Sequence, residues 1–198
     1  EVVTERRRAE LAKVIAAAYS AGHECQMVTL TFPHYKFQSL DHLLEKQKSA
    51  LTKFRKGGAW TKYMKKIGYE GVARTLEIIT GDNGWHPHTH ELWVCAPDID
   101  RQKFALKLRK KWLRVCVAEG IVDPKNKRQV RAFIKHSIDI NFKADTADYL
   151  AKQEKGRWGA DTEMALNTRK KRTELRHIFH VLEDYQTGHS WKDASLYI

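Results

Sequence analysis

Three histidines alternate with other residues in Gly84-Trp85-His86-Pro87-His88-Thr89-His90-Glu91-Leu92-Trp93, and this is where the chain carries most chemistry. On an extended strand, side chains two apart leave the same face with Cα atoms roughly 6.5 Å apart. Two neighbouring imidazoles can then converge on one cation. Neutral imidazole suits divalent metals, and a carboxylate from an adjacent strand would complete a mixed nitrogen and oxygen site for Mn²⁺ or Mg²⁺. Glu77 supplies that carboxylate. It lies in Leu76-Glu77-Ile78-Ile79, across Gly81-Asp82-Asn83-Gly84 from the histidines, and a charge in so apolar a segment needs a partner. Either His86 with His88 or His88 with His90 can form the pair. His86 stands beside Pro87 and nearest the turn, where a strand is least regular, which favours Glu77, His88 and His90. The competing reading is a histidine-rich strand facing solvent.

The elements that must position these residues follow from periodicity. Thr4 is placed to cap a first helix ending near Gly22, with Leu11, Val14, Ile15 and Ala18 as its apolar stripe. Gln26 to Phe32 alternates, is β-branched and stops at Pro33, as a strand does. Ser39 or Asp41 opens a second helix through Leu43, Leu44 and Leu51, and a short basic helix follows over 60–67. Val72 to Thr80 and Trp85 to Ala96 are strands joined by the Gly-Asp-Asn-Gly turn, with an irregular start at Pro87. Asp100 caps a helix that buries Phe104, Leu108, Trp112 and Val115 and ends at Gly120. Ala132 to Ile140 alternates again and is expected as a further strand. Asp145 to Lys152 reads as a helix, and mostly helical sequence is expected from about Thr162 onward. Strands mixed with crossing helices imply an α+β fold, a central antiparallel sheet flanked by helices in a ferredoxin-like or RNA-recognition-like order. One domain is expected over 1–198, with its core at about 26–172 and a helical extension over about 173–198.

Composition bounds the partners. The 198 residues are 42% apolar and 30% charged, a globular profile. The most apolar stretch, Leu11 to Tyr19, is too short to span a membrane and carries Lys13. Glu1 to Arg8 does not read as a secretory leader. Cys25, Cys95 and Cys116 are odd in number and widely spaced, which excludes CxxC-type zinc sites and points to a reducing, cytoplasmic setting. A net charge of +12 favours a polyanionic partner. Arg6-Arg7-Arg8, Lys65-Lys66, Arg109-Lys110-Lys111 and Arg169 to Arg172 are each ordinary solvated runs, yet together they could track a phosphate backbone. Six Trp and seven Tyr lie among them, several of which must serve the core.

The histidine segment resembles the His-hydrophobic-His (HUH) motif of plasmid rolling-circle replication initiators. Leu30-Thr31-Phe32-Pro33-His34 is similar to that family's first motif, and the strand and turn over 76–85 fit the segment before its metal site. Ala147-Asp148-Tyr149-Leu150-Ala151-Lys152 looks like its tyrosine motif, and Trp158 to Lys171 like the segment that follows. The match runs in order over about 26–172. Thr89 departs from the hydrophobic residue expected between the histidines, and Glu91 from an apolar one. Both should point away from the ligands. Gln153 stands where two-tyrosine relatives carry their second tyrosine, so the resemblance is to the single-tyrosine branch.

That resemblance implies a metal-dependent endonuclease that nicks single-stranded or hairpin DNA at a replication origin and serves a host helicase and DNA polymerase. Leaving a free 3′-OH requires a covalent 5′ intermediate, which a side-chain hydroxyl can form. Tyr149 is the expected nucleophile. On a helix, Asp145 four residues before it and Lys152 three after it share its face. Lys152 can favour the phenolate and balance charge on phosphorus. Asp145 matches the position where some relatives carry an acidic residue thought to activate water. His34 is expected either near the site or as a structural strand-end residue. A conjugative relaxase is disfavoured because its tyrosine usually precedes the histidines. A single-tyrosine transposase and a non-catalytic nucleic-acid-binding module remain as alternatives.

Overall fold

The computed structural model describes residues 2–142 and 176–177. Its elements run α1 (Val2–Ser20), β1 (Glu24–Leu30), α2 (Leu40–Phe54), α3 (Gly58–Lys66), β2 (Gly71–Gly81), β3 (Gly84–Cys95), α4 (Arg101–Ala118), α5 (Lys127–His136), β4 (Ile138–Asn141) and β5 (Arg176–His177). The strands form one sheet in the order β4-β1-β3-β2-β5, and every pairing in it is antiparallel. The fold is therefore α+β with an antiparallel sheet flanked by helices. From β1 to β4 the order is strand, helices, two strands, helices, strand, the ferredoxin-like succession.

Each face of the sheet packs against its own helices. Val28, Leu30, Trp85, Trp93 and Cys95 pack with Phe54 of α2, Trp60 of α3 and Phe104, Leu108 and Trp112 of α4. This is the larger core. On the other face, Cys25, Met27 and Leu92 meet Ile15 and Ala18 of α1. Strand alternation puts His90, His88 and His86 on the same face as Leu92, so α1 covers one end of the face that bears the histidines at the other.

Local chemistry explains most element boundaries. The Ser39 side chain caps α2 by accepting from the His42 N–H, and Asp100 caps α4 by accepting from the Lys103 N–H. Pro87 sits in the central strand, where a missing N–H would ordinarily be costly. The β1 ladder, however, ends at Leu30 opposite Thr89, so Pro87 is paired only to Ile78 of β2. Gly84, at φ +82°, closes the β2–β3 turn; a Cβ there would lie 3.0 Å from the Lys36 backbone, so the turn packs directly on the loop after β1.

Four expectations are corrected. Residues 132–136 are helical, not extended. Asn126 caps α5 by accepting from the Gln129 N–H, and the helix buries Phe133 while leaving Ile134 exposed, so the apparent alternation hid a helical turn. Only Ile138 to Asn141 is strand. Thr4 lies inside α1 rather than at its cap, because no breaker precedes it. Val14 is 46% exposed and does not join the α1 stripe. Finally, Arg176 and His177, in a stretch expected to be mostly helical, pair with Thr80 and Ile79 as a strand: the open edge of β2 takes up backbone partners there.

Candidate metal centre

The β2–β3 register sets the site. Glu77 lies directly opposite His88, and Thr75 opposite His90. The Glu77 Oε2 atom is 2.5 Å from His88 Nε2 and 3.0 Å from His90 Nε2. One ligand atom from each of the three residues falls within 4.8 Å of the others, the group among the described residues that could hold a metal ion. Burial is substantial, with side chains of Glu77, His88 and His90 exposed by 12%, 9% and 3%.

Each imidazole is held from behind. His90 Nδ1 is 3.0 Å from Thr29 Oγ1 on β1, and His88 Nδ1 donates to the His86 carbonyl at 3.4 Å. A carbonyl can only accept, so His88 keeps a hydrogen on Nδ1, and Nε2, which donates to Glu77 here, is the atom that would exchange its hydrogen for an ion. Two imidazole nitrogens and one carboxylate oxygen fit a divalent ion of intermediate hardness. Burial opposes the charge on Glu77, but hydrogen bonds and charge from His88 and His90 outweigh it and hold the carboxyl well below the usual range.

His86 takes a different role. Its Nε2 lies 2.5 Å from Thr31 Oγ1, and its ring stacks on His34 with centroids 4.3 Å apart. Burial first, then the nearby His34 and His88, push its pKa down to about 3 despite the opposing charge of Glu77. The same desolvation lowers His34, partly offset by its hydrogen bond to the Phe32 carbonyl. Of the two pairings open in the sequence, the structure gathers His88 and His90 around Glu77. Tyr149, Lys152 and Asp145 lie outside the described residues.

The opposite face of β3 carries a polar cluster that sequence reasoning missed. Glu91 is fully buried, points away from the triad as expected, and is bound by Arg55, by Arg74 Nε at 2.9 Å and by Trp93 Nε1 at 2.9 Å. The supporting Thr29 and Thr31 were also missed, although their alternation was visible as Thr29-Leu30-Thr31. Lys111, read as part of a solvated basic run, is buried: its Nζ donates to the Lys56 carbonyl at 2.6 Å and lies 4.7 Å from the Trp60 ring centroid. The rest of α4 keeps Lys103, Lys107, Lys110 and Arg114 exposed. No helix among the described residues is long and apolar enough to cross a membrane.

Comparison with protein-family models, with curated proteins and with solved structures gives no match for this chain.

Proposed function

We propose that this protein is a single-tyrosine, metal-dependent DNA nicking enzyme of the HUH type that opens a plasmid replication origin for rolling-circle replication. The observation that carries this reading is the Glu77–His88–His90 group, two oriented imidazoles and a carboxylate converging from paired strands of a ferredoxin-like sheet. The bound ion, Mn²⁺ or Mg²⁺, would supply Lewis-acid polarisation of the scissile phosphate. Glu77, His88 and His90 hold that ion, while Thr29 and the His86 carbonyl keep both rings turned toward it.

Tyr149 is the nucleophile. Its phenol oxygen bonds to phosphorus, the P–O3′ bond breaks, and the departing 3′-oxygen takes up a proton to become the 3′-OH that a host polymerase extends. Lys152 stabilises charge on the pentacoordinate phosphorus. Asp145 later takes a proton from the water that hydrolyses the phosphotyrosine. The phosphotyrosine ester formed in the first step conserves the phosphodiester's energy until that hydrolysis, so its formation consumes no nucleotide triphosphate. The chain's charge of +12 and the exposed cations of α4 support an anionic strand as substrate. Three unpaired, buried thiols suit the cytoplasmic setting in which such a host helicase and polymerase work.

The test is incubation of the full chain with Mn²⁺ and labelled single-stranded oligonucleotides bearing candidate plasmid origins, followed by denaturing gels. An SDS-resistant adduct that Tyr149→Phe abolishes, with DNA binding kept, is the expected result. No adduct on any origin, with binding intact, would favour the non-catalytic module instead.

A further inference from the structure

Beside the metal centre lies a cavity of about 670 Å³ between the loop after β1, the β2–β3 turn and α5. Its walls include His34 and His86, whose stacked rings continue to His88 at a centroid distance of 5.1 Å. The cavity therefore opens within one ring of the triad. Its volume falls in the range of small-ligand sites and exceeds what a single base with its sugar requires.

The lining is suited to a flat, polar-edged ligand. Tyr35 is 56% exposed at the rim, and such a ring would ordinarily be free to turn. Here Gln129 fixes it: the Gln129 amide donates to the Tyr35 hydroxyl at 2.8 Å, while its carbonyl oxygen accepts from the Asp123 N–H at 2.7 Å. An exposed aromatic ring held in one place is a stacking platform. Phe32 and Phe133 form an apolar floor, each 4% exposed. Arg128 and Asn83 also line the cavity, and among the described residues their side chains have no hydrogen-bond or ionic partner. A guanidinium and a carboxamide are the groups that pair in two-point fashion with base edges. On its third side, the turn that carries Asn83 packs against the Lys36 backbone at Gly84.

We propose that this cavity receives one unpaired base of a single DNA strand, stacked on Tyr35 with Arg128 and Asn83 at its edge. The site holds the base out of the stack and so seats the neighbouring phosphate at the triad. The last step rests on the nicking reading; the base-binding step does not.

The test is fluorescence anisotropy of the full chain, in EDTA, with labelled DNA 12-mers of dA, dC, dT and an abasic 12-mer of equal charge. The wild type should bind at least one base-bearing 12-mer about tenfold more tightly than the abasic strand. Tyr35→Ala and Ala132→Trp, the second placed to fill the cavity, should each erase most of that difference and leave abasic binding unchanged. Arg128→Ala should flatten the ranking among bases. If Ala132→Trp fails to fold, the exposed Tyr35→Ala and Arg128→Ala changes decide alone. A wild type that binds all four strands equally, or variants that keep the full difference, would overturn the proposal. Because no metal is present, the outcomes separate: an intact Tyr149 adduct with an unaltered difference removes the base site only, whereas no adduct with the difference erased removes the nicking reading only.

Discussion

Glu77 and Glu91 sit on neighbouring strands of one sheet, on opposite faces, and their surroundings differ in a way that separates structure from chemistry. Glu91 meets two guanidiniums and an indole N–H. Those cations never deprotonate at accessible pH, so the carboxylate is permanently neutralised and nothing is left for a ligand to do. Glu77 meets two imidazoles instead. An imidazole can surrender its proton and offer a lone pair, so the positive charge facing Glu77 can pass from protons to a metal ion. The same residue type in the same sheet is thus a closed ion-pair cluster on one face and an exchangeable site on the other.

The largest effect expected from this contrast is on metal binding. His88→Ala should weaken Mn²⁺ affinity beyond the ~10–100-fold typical of losing a mere supporting partner, and nicking should disappear with it. Its fold should be kept, with the melt without metal lowered because buried Glu77 loses one of its two partners. Calorimetric titration with Mn²⁺ beside thermal melts checks both; wild-type affinity in this variant would remove His88 from the site.

Next in size is the structural face. Glu91→Gln leaves Arg55 and Arg74 facing a neutral amide, and losing one partner of a buried pair costs ~3–5 kcal/mol. Both arginines keep about a third of their side chains exposed, at 30% and 35%, so solvent screening lowers the expectation to ~2–3 kcal/mol. Glu77→Gln should also cost stability, because both imidazoles hold its carboxylate ionised, but of the two variants it alone should lose the metal. Mn²⁺ titrations of the two variants test the distinction, and equal loss of affinity would abolish it.

The third expectation concerns acid. Glu77 is held ionised well below the usual carboxyl range. Its contribution to folding is therefore present above the ordinary carboxyl pKa of about 4.3 and is lost only as pH falls through the lower folded value. The stability difference between wild type and Glu77→Gln should therefore hold through the ordinary carboxyl range and fall only below it. Urea titrations of both proteins in mild and in stronger acid check this; a difference already lost at the ordinary carboxyl value would mean that His88 and His90 do not hold Glu77 ionised.

Much of this contrast was legible in the sequence for a simple reason. Period-two spacing of His86, His88 and His90 and the tight Gly-Asp-Asn-Gly turn are local signals, and together they fix both the shared face and the partner strand. The choice between His86 and His90 was not local. It depends on Thr31 holding His86 and Thr29 orienting His90, contacts with a strand more than fifty residues away in the chain. Glu91 was readable only as an oddity, since Arg55 and Arg74 reach it from a helix end and a different strand. The segment at 132–136 misled because Ile134, Ile138 and Ile140 satisfy a period-two pattern over so short a window, while the deciding residue, the Asn126 cap, lies outside it.

The smallest effect tests whether orientation matters at Glu77 as composition does. Thr29 is not one of the three donors; it holds His90 through Nδ1 at 3.0 Å and is a positioning residue. Thr29→Val keeps the shape and the strand preference and removes the hydroxyl, so the protein should fold at least as well. Without its partner, the His90 ring can turn and carry its hydrogen on either nitrogen. Mn²⁺ affinity should then fall ~10-fold, the lower end of what supporting partners contribute, and Thr29→Ser should recover most of it because the hydroxyl returns without the methyl. A merely structural threonine would move stability and leave affinity alone. Should Thr29→Val bind Mn²⁺ as tightly as wild type, convergence of the three donors suffices, and the exchangeable character of the site comes from the imidazoles themselves rather than from the strand behind them.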